Sequence, residues 1–219
     1  MKELIDLIKT SENKQLETKL QQDPSLADSR TEQGISLLQF AAYCRNSEAI
    51  RILKEHKSYL DIFEATCLGE VKKVTQLLVE KPELLNSFSA DGFTLLGLAA
   101  FFGHLNLAQE LLEKGADPNI SANNPYKVAP LHSACTTSNL EMATLLIEHG
   151  ADVNAKQMHN VTPLHSATHN GKTDLVQLLV DKGADINATM ENGKTPLLMA
   201  EEAKFNDTAN LIKKLVGKF

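Results

Sequence analysis

The chain has 219 residues, 42% of them hydrophobic and 23% charged, enough to bury a sizeable core as one large domain or two small ones. Its net charge of −6 argues against wholesale binding to nucleic acid or to an anionic membrane, because both need a basic face. No apolar run approaches a membrane span, and the opening MKELIDLIKT interleaves charged and apolar residues where a signal peptide would be continuously apolar, so a soluble, cytoplasmic protein is expected.

Residues 4–28 carry the pattern L…QQDPSLADS, which returns downstream as LL…EKPELLNS. Residues 36–53, SLLQFAAYCRNSEAIRIL, predict a short unit around Ala41 and Ala42. In residues 61–85, DIFEATCLGEVKKVTQLLVEKPELL, the residues Ala65, Gly69, Val74, Leu77 and Leu78 stand at matching offsets. Three fuller units follow: TLLGLAAFFGHLNLAQELLEKGADPN at 94–119, APLHSACTTSNLEMATLLIEHGADVNA at 129–155 and TPLHSATHNGKTDLVQLLVDKGADINA at 162–188. The stretch 193–219 opens with Thr195-Pro196-Leu197 and closes on a mild basic cluster, Lys213, Lys214 and Lys218, which suits a helix C-terminus.

The last complete unit shows the logic of all of them. Thr162 is suited to cap a helix, and Pro163 fits the first helical position, where its missing N–H costs nothing. A short helix with small Ala residues follows, then a turn at Asn170-Gly171. A second helix presents Leu175, Val176, Leu178 and Leu179 on one side, and Gly183 ends it. The segment 185–193 is expected to form an extended finger leading to the next Thr-Pro. Thr162 and Thr195 are 33 residues apart, as are Ala129 and Thr162; a fixed period of this size marks a solenoid of stacked units.

These units resemble ankyrin repeats, and the likeness runs over nearly the whole chain. It implies an all-α solenoid of stacked helix-turn-helix units with protruding hairpin fingers. As one domain, 1–219 would divide into an N-terminal cap (1–33), a short repeat (34–57), four repeats (58–91, 92–126, 127–159 and 160–192) and a C-terminal cap (193–219). Ala41 and Ala65 are only 24 residues apart, so one finger is expected to be missing, opening a gap in the row near 54–60. Thr94 and Ala129 are 35 apart, so the finger around 123–127, NNPYK, is expected to be longer by two residues.

Little in the chain points to chemistry. His165 and His169 have the spacing of a zinc-binding pair, but the resemblance makes His165 and its equivalent His132 scaffold residues that bond the turn between repeats. His104 belongs to the same class, whereas His159 and His169 fall at variable, exposed positions. Cys135 is expected to pack, while Cys44 and Cys67 lie near helix ends and are expected to be partly exposed. Three widely spaced cysteines suggest neither a disulfide framework nor a zinc site. The pairs Asp117/Asn119, Asp152/Asn154 and Asp185/Asn187 resemble carboxylate ligands, but their recurrence in each unit assigns them to turn-stabilising hydrogen bonds. No catalytic residue, metal or cofactor is expected.

The information then lies where the repeat varies. In the resembled family, partners meet the finger tips and the concave face of the first helices. That rule selects Tyr43, Phe93, Phe101, Phe102, Tyr126, Val128, Thr136, Thr137, His159, Val161, His169 and Asn170 as partner-binding residues. Phe101 and Phe102 either form an exposed patch or wedge between units; Phe63 and Phe88 are assigned to the core. The reading is a monomeric, non-enzymatic module for an unidentified protein partner, with no nucleic acid and no membrane. Two alternatives stand beside it: an inhibitor or immunity-type regulator of a specific enzyme, and a metal-dependent protein built on His159, His165 and His169.

Overall fold

The computed structural model describes residues 1–217, so Lys218 of the basic cluster lies outside the described residues. Fourteen α-helices are found there, in seven antiparallel pairs. The pairs are α1 (Lys2–Lys9) with α2 (Asn13–Gln22), α3 (Leu37–Tyr43) with α4 (Ser47–His56), and α5 (Ile62–Cys67) with α6 (Val71–Glu80). They continue with α7 (Leu95–Phe102) and α8 (Leu105–Glu113), then α9 (Pro130–Thr136) and α10 (Leu140–Glu148). α11 (Pro163–His169) with α12 (Thr173–Asp181) and α13 (Pro196–Glu202) with α14 (Asn206–Val216) complete the array. No helix among the described residues is long and apolar enough to cross a membrane.

The first helices of the pairs stack on one another, and so do the second helices from α6 to α14. Five of the seven first helices start on a side-chain cap; α1 and α9, which follow Met1 and Ala129, do not. The hydroxyls of Ser36, Thr94, Thr162 and Thr195 accept the N–H three residues on, at 3.1, 3.0, 3.4 and 3.2 Å. Asp61 caps α5 in a reciprocal box, with the Glu64 carboxylate accepting the Asp61 N–H at 3.0 Å. Gly171 turns the chain at φ +64°, and a Cβ there would meet the Phe205 ring at 2.9 Å, so both backbone and packing require glycine.

The scaffold histidines act as the resemblance implies, and the Asp-x-Asn pairs as their recurrence predicts. His132 Nε2 donates to the Val161 carbonyl at 3.0 Å and His165 Nε2 to that of Lys194 at 3.3 Å, tying each first helix to the next finger. His104 bonds the Cys67 carbonyl at 2.9 Å. Asn154 accepts the Asp185 N–H at 2.8 Å and donates to the Gly183 carbonyl at 3.0 Å; Asn119 does the same one unit earlier, with Asp152 and Gly150. The asparagines therefore staple successive finger bases together.

The chain from α4 to α5 is short, as the 24-residue spacing predicts, and forms no finger. The anticipated gap, however, closes. A Cβ on Gly34 would stand 3.2 Å from that of Ala90, so the fingers on either side meet. Asp91 then reaches back to α3, accepting from the Tyr43 hydroxyl at 2.5 Å and the Gln39 amide at 3.2 Å. Further along, each finger hands a backbone bond to the one before: Asn123 N–H to Gly92, Met158 to Tyr126, and Glu191 to His159.

Two assignments need correcting. Phe88 is 41% exposed rather than core; along the finger strand successive side chains alternate in direction, and Ser89, which hydrogen-bonds Asp91 and Phe93, takes the buried place. Cys67 is buried rather than partly exposed, beneath a cluster that includes Tyr43 and Phe102.

Candidate binding groove

The first helices and the fingers together enclose two adjoining cavities. One, of about 340 Å³, is lined by Phe93, Phe101, Tyr126, Val128 and Met158, with Ser133, Thr136, Gln157, His159 and Val161. The next, of about 250 Å³, shares Thr136, Gln157 and Val161 and adds His165, Ser166, His169, Asn170, Met190 and Met199. The result is one apolar groove spanning the fingers before α9, α11 and α13.

The cause is visible along the repeat. Counting four residues from each cap, the floor position carries Phe40, Ala65, Leu98, Ser133, Ser166 and Met199. Serine fills less volume than Leu98 or Met199, and the cavities lie over the two serine units; Ala65 is smaller still and lines neither, so the finger walls contribute as much as the floor residue. The lengthened finger contributes Tyr126, which stands 59% exposed at the groove wall.

Nine of the twelve residues selected from the sequence line these cavities: Phe93, Phe101, Tyr126, Val128, Thr136, His159, Val161, His169 and Asn170. Asn170 also has a structural task, its amide donating to the Thr136 carbonyl at 2.8 Å. Tyr43, Phe102 and Thr137 line neither cavity. Tyr43 and Phe102 are half-buried, with ring centroids 5.3 Å apart, and Phe101 joins them at 5.8 and 5.2 Å. Phe101 therefore faces the groove while Phe102 wedges between units and stacks on His104. Burial and then Asp91 push the Tyr43 phenol well above its ordinary range. Thr137 turns its hydroxyl back to the Ser133 carbonyl at 2.9 Å.

His165 and His159 are engaged in contacts of their own, and two of the three thiols are buried. His165 engages Thr162 through Nδ1 and Lys194 through Nε2, while His159 pairs with Glu191 at 2.9 Å across two finger tips. Among the described residues no three His, Cys, Asp or Glu side chains gather as a metal site would require. Burial pushes the Cys135 thiol up to about 12 and raises that of Cys67 as well, which suppresses the thiolate.

The sequence reading missed Ser133, Ser166, Gln157, Met158, Met190 and Met199. Their signal was present: two serines at one repeat position between larger residues, and a methionine in each of the last two fingers. Methionine is flexible and polarizable and adapts to varied apolar surfaces.

Two family models described as ankyrin repeats match residues 62–157 and 146–200, together well over half of the chain. A mouse protein, "Ankyrin repeat and SAM domain-containing protein 6", is 37% identical over 99 residues, covering 45% of this chain and 11% of that protein. The human "NAD-capped RNA hydrolase NUDT12" is 46% identical over 52 residues, 24% of this chain and 11% of its own length. The fowlpox virus "Putative ankyrin repeat protein FPV034" is 27% identical over 128 residues, 56% of this chain and 30% of its own length. The chain thus spans only a small part of the curated relatives it matches.

Proposed function

The chain belongs to the ankyrin-repeat family, and from that premise we propose that it is a non-enzymatic module that holds a partner protein along the groove over α9 and α11. The observation that carries this reading is the pair of adjoining cavities, whose walls hold three aromatic rings and three methionines. Contiguous apolar surface of this kind is a mark of interaction sites, and aromatic anchors in pockets dominate binding energy. The partner-binding set is accordingly centred on Phe93, Phe101, Tyr126, Val128, Met158 and Val161, with His159, Thr136, His169 and Asn170 on the rim. Tyr43, Phe102 and Thr137 support the wall behind it.

The test is capture of partners from the native host with the native protein, a groove variant (Phe101→Asp) and an outer-face variant (Val79→Asp). Val79 lies on α6 and is 77% exposed, so its charge is tolerated. A partner retained by Val79→Asp and lost by Phe101→Asp, with unchanged helical circular dichroism, supports the groove. Loss through Val79→Asp alone overturns it.

A further inference from the structure

We propose that the larger cavity receives a tyrosine side chain from an extended segment of the partner, its phenol hydroxyl bonded to Ser133. This rests on the groove reading and names the anchor that the groove takes. Ser133 is 2% exposed, forms part of the cavity floor, and has no hydrogen-bond partner for its hydroxyl among the described residues. Buried hydroxyls are nearly always paired, and an orphan is costly. Here the orphan belongs to a largely apolar chamber walled by Phe93, Phe101, Tyr126, Val128 and Met158, with Thr136, Gln157 and His159 as its other polar side chains.

Walls and floor together select an apolar ring with a hydrogen-bonding tip. A phenol ring packs edge or face against the three aromatic walls and meets the Met158 thioether favourably. Its hydroxyl both donates and accepts, so it pairs with Ser133 whichever way the serine hydroxyl turns. Phenylalanine leaves the serine unpaired, indole only donates, and a charged tip would be desolvated without a counter-charge. A polypeptide is the source because a second cavity adjoins this one, sharing Thr136, Gln157 and Val161 in its lining. That leaves a path for flanking main chain, to which the Gln157 amide offers a donor and an acceptor.

Two pairs of probes test this by NMR titration of the native protein and of Ser133→Ala: p-cresol against toluene, and Ac-Gly-Gly-Tyr-Gly-Gly-NH2 against its phenylalanine counterpart. Alanine is the best helix former, so α9 survives the substitution, and thermal unfolding verifies it. We expect the hydroxyl-bearing probes to shift the amides of Phe101, Val128, Ser133 and Val161. Their advantage over the hydroxyl-free probes falls about tenfold in Ser133→Ala. An unchanged ratio in Ser133→Ala, with binding still lost in Phe101→Ala, overturns the tyrosine anchor and leaves the groove standing. Binding of p-cresol with exclusion of the tyrosine peptide overturns the polypeptide source. Shifts confined to residues outside the groove overturn both the anchor and the groove.

Discussion

His132 is fully buried, and Nε2 faces the Val161 carbonyl at 3.0 Å, so the neutral ring carries its proton on that nitrogen. Burial pushes its pKa down to about 4, and burial lowers that of His165 in the same way. An unfolded histidine titrates near 6.5, so the unfolded chain takes up protons first as the pH falls. The stability that His132 contributes is fully present above about pH 6.5 and is lost progressively toward about pH 4, at roughly 1.4 kcal/mol per pH unit for a fully discriminating site, and His165 acts in the same direction. Replacing His132 with the glutamine that occupies the equivalent position at Gln39 should flatten this slope. Urea unfolding at pH 7.5, 6, 5.5 and about 5 measures it; a slope identical to the native one refutes the assignment. The histidine's role was legible through the ankyrin resemblance, because Ala129-Pro130-Leu131-His132 matches the turn that resemblance describes. The use of Ser133 was not, because its meaning depends on the volume above it, which comes from three fingers and from Phe101 of α7. Cys67 was misread for a similar reason: its cover, Tyr43 and Phe102, comes from the neighbouring pairs.

Between α4 and α5, ion pairs take the place of the missing finger. Arg30 meets Asp61 at 2.8 Å, Lys54 meets Glu70 at 2.7 Å, and Lys57 lies between Asp28 at 2.7 Å and Glu64 at 3.1 Å. Lys57 and Glu64 have side chains only 5% and 1% exposed, so this pair is buried, unlike the others. Glu64 stands at the repeat position held by His132 and His165. Removing one member of a buried pair strands the other, at a cost of about 3–5 kcal/mol. Lys57→Met should therefore destabilise the protein by that amount. Adding Glu64→Gln should recover more than half of the loss, since glutamine keeps the capping box with Asp61. Urea midpoints of the two single variants and the double variant decide this; strict additivity would show that the two residues do not depend on each other. The exposed Asn154 staple is a different case. Asn154→Ala forfeits two bonds but leaves their partners open to water, so about 1–2 kcal/mol is expected, read from the same unfolding curves. The Asp-x-Asn rhythm made that staple legible. The shortened spacing announced a missing finger, but nothing in it said that its neighbours would close or that Lys57 would be drawn inside.

Across the described residues, the buried apolar side chains fall into two main clusters, one from Leu4 to Leu53 and one from Ile62 to Leu215. The division coincides with the missing finger and with the break in the outer row between α4 and α6. The clusters meet through Leu60 and through a small set, Ala42, Cys67 and Leu98, overlain by Tyr43, Phe93 and Phe102. In a stacked array stability is a sum of unit and nearest-neighbour terms, so the weakest interface decides where cooperativity fails. Tyr43 is the main fastening there: its ring packs on Phe101 and Phe102, and its hydroxyl holds Asp91 of the closing finger. Tyr43→Ala removes a ring and a charged hydrogen bond at once, about 3–5 kcal/mol by analogy with other aromatic truncations. The cost falls on the interface and not on either core. Native-state hydrogen exchange should then show α1–α4 opening before α7–α14, because the N-terminal cluster buries far less apolar surface and has the lower stability to lose. Urea unfolding followed at 222 nm should broaden or divide into two steps, the first with the smaller helical amplitude. If protection is lost together along the array in Tyr43→Ala, the joint is not the weak interface. Because Tyr43 also backs Phe101, loosening this joint should weaken partner binding at the groove even though Tyr43 lines neither cavity.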